Sequence, residues 1–199
     1  MILPSSATTR YSFHYDGERR VMRQEAIADP WSPEQALAAA AGATLIYLAA
    51  LTRTDFPLET IAALANGGRR LLIDAHGLVR TPALGALVVD AEIGAVLRHV
   101  TFLKLNDEEA EILSGGTDED AVRSLEVPEV LLTLGSQGSL VVAGDVAARI
   151  EATPIDGRVD PTGAGDMFSA AYLDERSRGT SPGDAARQAS GLVSELILG

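Results

Sequence analysis

The sequence lacks cysteine and has few histidines, and both absences exclude classes of chemistry. Without cysteine, the chain of 199 residues can form neither disulfide bonds nor thiolate metal sites. Its three histidines, His14, His76 and His99, are scattered and do not have the spacing of metal ligands. His76 follows a predicted strand end, where it could approach a ligand, but we interpret it as an ordinary loop histidine.

Basic residues are also scarce. The chain has 16 lysines and arginines against 28 acidic residues, which gives a formal net charge of −12 and a pI of about 4.6. Such a surface repels phosphate backbones and argues against nucleic acid as a general partner. It does not exclude a nucleotide, because a few backbone amides and a metal ion can hold phosphates locally.

Leader sequences and long apolar runs are absent as well. The first ten residues lack the charged and apolar segments of a signal peptide. The longest apolar stretch, residues 36–51, is rich in alanine and interrupted by Gly42 and Thr44. It falls short of the roughly 18 strongly apolar residues of a membrane span. We therefore expect a soluble, cytoplasmic protein without membrane contact.

Short apolar runs alternate with helical patterns along most of the chain. The predicted strands cover residues 44–49, 71–75, 101–105, 129–134 and 139–143. The predicted helices cover residues 57–65, 84–97, 107–113, 163–175 and 182–197. Apolar strands separated by helices are typical of a sheet buried on both faces, so we predict an α/β domain with a largely parallel sheet.

The N-terminal segment has a different pattern. Tyr11, Phe13 and Tyr15 alternate with polar residues before Asp16-Gly17, which predicts a β-hairpin. We therefore divide the chain into a hairpin at 1–28 and an α/β domain at 29–199. The first helix of that domain is predicted to begin at Ser32, because Pro33 suits a first turn and Gln35 completes a capping box.

The strongest chemical signal is the stretch Asp-Pro-Thr-Gly-Ala-Gly-Asp at residues 160–166. Gly163, Ala164 and Gly165 are small enough for a ligand to approach the backbone. The unpaired amides that begin the next helix suit phosphate oxygens. Asp166, at the edge of this site, could take a proton from an attacking hydroxyl. The alternative is a tight turn followed by an ordinary first-turn aspartate, which a lone Gly-x-Gly would favour.

Two further patterns follow predicted strands. Asn106 caps a helix in which Glu109 lies three residues later, so both side chains can face the same opening; simple capping is the alternative. Thr133, Gly135 and Gly138 form a Thr-x-Gly-x-x-Gly loop, where glycines past a strand end let a nucleotide lie against the backbone. A hairpin turn into the next strand is the alternative there.

Together and in this order, the three patterns resemble the signatures of the ribokinase-like (PfkB) carbohydrate kinases. The family's D-T-x-G-A-G-D matches six of seven positions, with Pro161 where threonine is common. Its N-x-x-E and T-x-G-x-x-G patterns match the other two stretches. The resemblance implies a ribokinase-like fold, with the N-terminal hairpin similar to the lid that covers the sugar.

The resemblance also implies an activity, which is ATP-dependent phosphorylation of a hydroxymethyl group on a sugar or polyol. Asp166 would be the general base, and the amides of residues 163–165 would stabilise the transferred phosphoryl group. Asn106 and Glu109 would organise Mg²⁺ and phosphates, and Thr133, Gly135 and Gly138 would line the nucleotide. Asp160, with Thr162, would belong to a metal site that binds a monovalent cation.

The chain departs from the family in two respects. Many members carry D-x-N-x-R where this chain has Asp74-Ala75-His76-Gly77-Leu78, and Arg80 falls two places late, so we transfer no role to it. Members usually run about half as long again and begin with glycine-rich sugar-binding segments. We therefore expect an N-terminally shortened member whose exposed sheet edge is covered by a second copy or a partner chain.

Two alternatives stay open at this point. The chain could be a non-catalytic relative that binds a nucleotide or a partner protein, since the sugar-binding segments have no counterpart in it. The acceptor could also be a nucleoside instead of a sugar, because one scaffold serves many substrates.

Overall fold

The computed structural model describes residues 4–17, 19–153 and 162–198, which form two β-sheets and seven α-helices. The strands are β1 (Arg10–Asp16), β2 (Arg19–Ala26), β3 (Leu45–Leu48), β4 (Arg70–Asp74), β5 (Gly85–Ala86), β6 (Phe102–Asn106), β7 (Glu129–Thr133), β8 (Ser139–Ala143) and β9 (Val146–Ile150). The helices are α1 (Pro33–Ala39), α2 (Leu58–Ala65), α3 (Ala75–Val79), α4 (Asp107–Ser114), α5 (Glu119–Arg123), α6 (Ala164–Ser177) and α7 (Pro182–Leu198). Within this described part, no helix is long and apolar enough to cross a membrane.

The smaller sheet contains the predicted hairpin. Strands β1 and β2 pair antiparallel, with Phe13 opposite Met22 and Asp16 opposite Arg19. The short strand β5 adds a third strand, because Arg23 and Gln24 pair with Ala86 and Gly85. The hairpin is therefore tied to a loop that lies more than 50 residues further along the chain.

The larger sheet has the strand order β3-β4-β6-β7-β8-β9. Strands β3, β4, β6 and β7 are parallel, β8 pairs antiparallel with β7, and β9 pairs antiparallel with β8. Parallel strands bring their carboxyl ends to one edge of the sheet, where ligands of α/β proteins bind. In this register Asp74 at the end of β4 lies directly beside Lys104 of β6.

Each face of the larger sheet has its own apolar core, as predicted from strands whose residues are continuously apolar and do not alternate with polar ones. On one face, Leu71, Leu103 and Leu132 pack with residues of α2 and α4 such as Ile61 and Ala110. On the other face, the neighbouring strand residues Leu72, Phe102, Leu131 and Val141 pack against α6 and α7, including Phe168, Tyr172 and Ala186. The prediction of helices on both faces is confirmed.

The predicted helix at 84–97 is wrong. The segment contains β5 and ends in a 3-10 helix at Val96–His99. Two glycines adopt positive φ angles, 104° at Gly85 and 58° at Gly94, and these angles interrupt a helix. The Leu87 amide also donates to the Met22 carbonyl oxygen at 3.0 Å, so the segment pairs with the hairpin. The spacing of its apolar residues predicted a helix. The segment instead pairs with β2, which is distant in the sequence, and a local pattern does not reveal such pairing.

The predicted capping box at α1 is confirmed. The Ser32 hydroxyl accepts from the Gln35 amide, and the Gln35 side chain accepts from the Ser32 amide at 3.0 Å. Three elements had no prediction, namely α3, α5 and β9. The two helices have only five residues each, too few for a clear helical period, and most residues of β9 are exposed, with Arg149 interrupting its apolar residues.

Candidate active site

Helix α6 begins at the carboxyl edge of the larger sheet. Gly163 precedes it in the left-handed region at φ 82°, a conformation that glycine adopts without strain. Because glycine has no side chain, it cannot cap the first amides of this 14-residue helix. Those amides and the positive end of the helix dipole therefore favour an anion at Ala164 and Gly165.

A lysine lies directly beneath this helix start. A Cβ atom placed on Gly165 would come within 3.1 Å of the Lys104 Nζ atom, so the glycine leaves room for the ammonium group. Lys104 is only 6% exposed. It is also the single lysine of the sequence, whose other permanently charged basic residues are all arginines. A buried positive charge thus adds to the helix dipole at the same point.

Asp74 holds this lysine in place. Its Oδ2 atom lies 3.2 Å from Lys104 Nζ. Its Oδ1 atom accepts from the His76 amide at 3.1 Å and lies 2.7 Å from His76 Nδ1. Burial by itself would raise the pKa of Asp74, but the hydrogen bonds from His76 and the charge of Lys104 outweigh it. The pKa of this carboxyl is therefore lowered.

Glu109 shares the surroundings of Lys104 but has the opposite shift. Its carboxylate accepts from the Asn106 amide at 2.8 Å and from Asn106 Nδ2 at 3.0 Å. The Asn106 Oδ1 atom in turn accepts from the Glu109 amide at 2.8 Å. Burial raises the pKa of Glu109, the charge of Lys104 acts against this rise, and the charge of Asp74 adds to it. A buried carboxylate with a raised pKa lacks full charge compensation.

Asp74, His76 and Glu109 are arranged in a way that fits a divalent cation. Among the described residues, their ligand atoms form a group in which all lie within 4.8 Å of one another. Carboxylate oxygens are the ligands that Mg²⁺ prefers, and the raised pKa of Glu109 marks a charge that a cation would balance. Asn106 contributes by fixing Glu109 through the capping box; its own side-chain oxygen is already used there.

The predicted base, Asp166, lies in the first turn of α6 and is exposed. Its Oδ1 atom accepts a hydrogen bond of 2.6 Å from the hydroxyl of Tyr47 in β3. Burial, followed by this hydrogen bond, raises the pKa of Tyr47 far above its usual value. The phenol is therefore a permanent donor, and the carboxylate is the group that can accept a proton.

The Thr-x-Gly-x-x-Gly loop follows β7 as a short 3-10 turn at Gly135–Gln137. The Thr133 hydroxyl donates to the Leu105 carbonyl oxygen at 3.1 Å, which ties it to the neighbouring strand. Gly135 and Gly138 both have positive φ angles, 55° and 87°. A Cβ atom on Gly138 would lie 2.0 Å from the Ile150 carbonyl oxygen, so the approach of β9 by itself requires this glycine.

A pocket of about 430 Å³ lies beside this loop and the start of α4. Leu134 and Gln137 form part of its wall, and Arg149 contributes one positive charge. Four carboxylates also line it, those of Asp107, Glu108, Glu111 and Asp118. The pocket has room for a small ligand group, but its lining repels phosphates.

The structure therefore brings most of the predicted site residues to one edge of the sheet. Gly163, Ala164, Gly165, Asp166, Asn106 and Glu109 all lie there, whereas Asp160 falls outside the described residues. Our interpretation of His76 as an ordinary loop histidine is wrong, because His76 lies in α3 and its imidazole contacts Asp74.

Sequence reasoning also missed Tyr47, Asp74 and Lys104. Lys104 carried a detectable signal, since it is the single lysine of the sequence and lies two residues before Asn106. No local pattern marks Tyr47, which is 119 residues from its partner Asp166.

Known proteins place the chain in a family. Residues 6–197 match the pfkB family of carbohydrate kinases. The chain therefore belongs to the pfkB carbohydrate kinase family, as the three sequence motifs predict.

Individual relatives match shorter segments. A ribokinase from Staphylococcus aureus (strain COL) is 32% identical over 108 residues, which is 50% of this chain and 34% of the relative. A nucleoside kinase from Methanocaldococcus jannaschii is 32% identical over 85 residues, which is 42% of this chain and 28% of that relative. The matched segments thus span well under two thirds of either relative.

The fold has a more extensive counterpart among solved structures. A pyrophosphate-dependent kinase in the ribokinase family, complexed with a pyrophosphate analog and myo-inositol, superposes with a TM-score of 0.80 at 27% identity. The superposition covers 98% of this chain and 70% of that one. The fold is therefore ribokinase-like, with helices on both faces of a mixed sheet.

Proposed function

We propose that the chain carries the phosphoryl-transfer site of a kinase that uses ATP to phosphorylate a hydroxymethyl group of a sugar or polyol. One observation carries the proposal: a carboxylate, Asp166, and a buried cation, Lys104, meet at the uncapped start of α6. Phosphoryl transfer requires an anion cradle, a cation and a positioned base, and little other covalent chemistry from the protein.

Each residue has a distinct part in the proposed reaction. The acceptor oxygen attacks the γ-phosphorus, the bond from that phosphorus to the bridging oxygen breaks, and ADP leaves with the electron pair. Asp166 takes the acceptor proton. The amides of Gly163, Ala164 and Gly165, with the ammonium of Lys104, stabilise charge on the transferred group.

The family's Mg²⁺ would be held by Glu109 and Asp74, with His76 beside them, and would neutralise charge on the donor phosphates when bound. Asn106 would keep Glu109 in position. Thr133, Gly135 and Gly138 would support the nucleotide loop, and Asp160 with Thr162 would belong to the monovalent-cation site.

The test is acceptor-dependent ADP release from Mg-ATP by the purified chain against sugars, polyols and nucleosides, with mass spectrometry of the phosphorylated product. Asp166→Asn is the key variant, because it keeps the shape and removes the proton acceptor. We expect its rate to fall at least about 100-fold.

Asp174→Asn is the matched control. Asp174 lies on the same helix, eight residues further on, and its exposed side chain contacts Arg178. The control should transfer at the wild-type rate. Equal rates for the wild type and Asp166→Asn would remove Asp166 from the mechanism.

A second candidate has pyrophosphate as the phosphoryl donor. One observation favours it, the likeness to a pyrophosphate-dependent kinase at 27% identity. Pyrophosphate needs no pocket for adenosine, and it would bind only at the start of α6. Parallel assays with Mg-ATP and Mg-pyrophosphate discriminate between the two, and the donor with the larger kcat/KM is the one the site uses.

The non-catalytic alternative rests on how little of its relatives the chain matches. The matched segments cover 34% of the ribokinase and 28% of the nucleoside kinase. The same assays test it. A folded chain that binds Mg-ATP or Mg-pyrophosphate and transfers to no acceptor would favour a binding role over a kinase.

A further inference from the structure

We infer that Tyr47 is a positioning residue for the base: it holds one oxygen of Asp166 so that the other faces the acceptor hydroxyl. The inference rests on the proposed function, because it assigns Tyr47 a part in the same reaction. Its carrying observation is the 2.6 Å hydrogen bond from the Tyr47 hydroxyl to Asp166 Oδ1.

The sheet fixes where this hydroxyl lies. Tyr47 is in β3, where it pairs with Leu72 of β4. With Leu45, it packs on the face of the sheet that carries α6 and α7. An aromatic ring in a packed strand has few rotamers, so its hydroxyl is a rigid point of attachment.

Asp166 needs such an attachment. It is exposed at the start of a helix, and the preceding residues Gly163, Ala164 and Gly165 have between them only one methyl group as a side chain. The Tyr47 hydroxyl reaches it from a strand that is 119 residues away in the sequence. Without this contact the carboxylate would exchange between rotamers, and only a fraction would be aligned for proton transfer.

The chemistry of the donor suits this part. A phenol that stays protonated cannot compete with Asp166 for the acceptor proton. It also occupies Oδ1 in a single direction and leaves Oδ2 for the substrate. A serine or water at the same place could reorient, because a hydroxyl on a small mobile group rotates freely.

Tyr172 provides a matched control for Tyr47, and it lies on α6, the helix that carries Asp166. Its hydroxyl donates to Glu129 Oε2 at 2.8 Å, so it forms the same type of tyrosine–carboxylate hydrogen bond. Glu129 begins β7, so this hydrogen bond lies at the edge of the sheet opposite to Asp166. Removing either hydroxyl is the same chemical change in two different places.

The experiment compares Tyr47→Phe and Tyr172→Phe with the wild type in the donor and acceptor assay and in urea unfolding. We expect kcat of Tyr47→Phe to fall by about 10- to 100-fold, with KM for the donor within about twofold of wild type. Tyr172→Phe should unfold at a lower urea concentration than the wild type while its kcat is unchanged.

This split separates positioning from a merely structural role. If Tyr47→Phe turns over like the wild type while Asp166→Asn is inactive, the inference is overturned and the proposed function stands. An equal loss of kcat in both phenylalanine variants would also overturn it, since a general loss of stability would then explain the effect. Absence of transfer by the folded wild type with every donor and acceptor would overturn the proposed function, and the inference with it.

Discussion

Two buried ionic clusters lie at opposite edges of the larger sheet, and their charges are balanced differently. At the amino edge, Glu129 is held by Arg176 through two hydrogen bonds of 2.9 and 2.6 Å and by the Tyr172 hydroxyl. One carboxylate thus meets one guanidinium, and each side chain is less than a fifth exposed. This amino-edge cluster is neutral and closed.

At the carboxyl edge the carboxylates are paired less evenly. Asp74 contacts both Lys104 and His76, whereas Glu109 accepts hydrogen bonds from Asn106, and the pKa values of the two carboxyls shift in opposite directions. The helix start above this carboxyl-edge cluster is also uncapped by Gly163. A carboxylate paired with one guanidinium leaves no charge for a ligand to balance, whereas a buried carboxylate with a raised pKa marks a candidate site for a ligand.

The largest expected effect comes from Lys104→Met, which leaves two buried carboxylates without their cation. We expect the transfer rate to fall by about 100- to 1,000-fold, because a charge-stabilising donor is lost. The unfolding free energy should also fall by about 3–5 kcal/mol, since unpaired buried charges remain. Turnover assays and urea unfolding measure the two effects, with exposed Arg187→Met as the control. Wild-type turnover by Lys104→Met would contradict the account.

The next effect separates the two clusters. Arg176→Leu leaves Glu129 unpaired at the amino edge, so the unfolding free energy should fall by about 3 kcal/mol. Because Arg176 is remote from the α6 start, kcat should stay within about twofold of wild type at a temperature where the variant is folded. A loss of kcat comparable to that of Lys104→Met would show that the two clusters are not functionally distinct.

Glu109→Gln should affect activity and stability in opposite directions. Glutamine can keep the capping box with Asn106 but removes a carboxylate that burial destabilises. At neutral pH and without Mg²⁺, the unfolding free energy should be unchanged or higher by up to about 1 kcal/mol. The Mg²⁺ concentration needed for half-maximal transfer should rise about 10-fold. A clear loss of stability would show that the charge of Glu109 is compensated without a ligand.

The smallest effect is on the pH dependence of stability. Asp74 has a lowered pKa in the folded protein, so its ionised form stabilises the fold above the unfolded value near 3.9. That contribution is lost as the pH falls through the folded value. Glu109 has the opposite sign, because its pKa is raised. Between about pH 5 and 3, Asp74→Asn should therefore lose less stability than the wild type, by about 1 kcal/mol. Equal slopes would show that Asp74 is not linked to folding in this range.

The features that could be predicted from the sequence are those with local signals. The α/β architecture followed from unalternated apolar runs such as 71–75, and the helix starts at Ser32 and Asn106 followed from local capping patterns. The anion cradle at 163–165 was predictable because glycine and helix start are adjacent in the chain. Each of these signals is local, within a few residues.

What the sequence did not predict depends on contacts between distant segments. The 84–97 segment pairs with the hairpin, and Tyr47 reaches Asp166 only because β3 lies beside the start of α6. Lys104 and Asp74 become partners through strand register. A single sequence carries no pattern for such pairings, although the solitary lysine was a visible sign.

In the proposed reaction, the α6 start binds the phosphoryl donor and Asp166 performs the proton transfer. The most direct test is calorimetric titration of Mg-ATP and of Mg-pyrophosphate into the wild type and Asp166→Asn, with turnover measured on the same samples. We expect the variant to bind the preferred donor with a Kd within about threefold of wild type while turnover is lost. Retained turnover, or loss of binding together with turnover, would contradict the account.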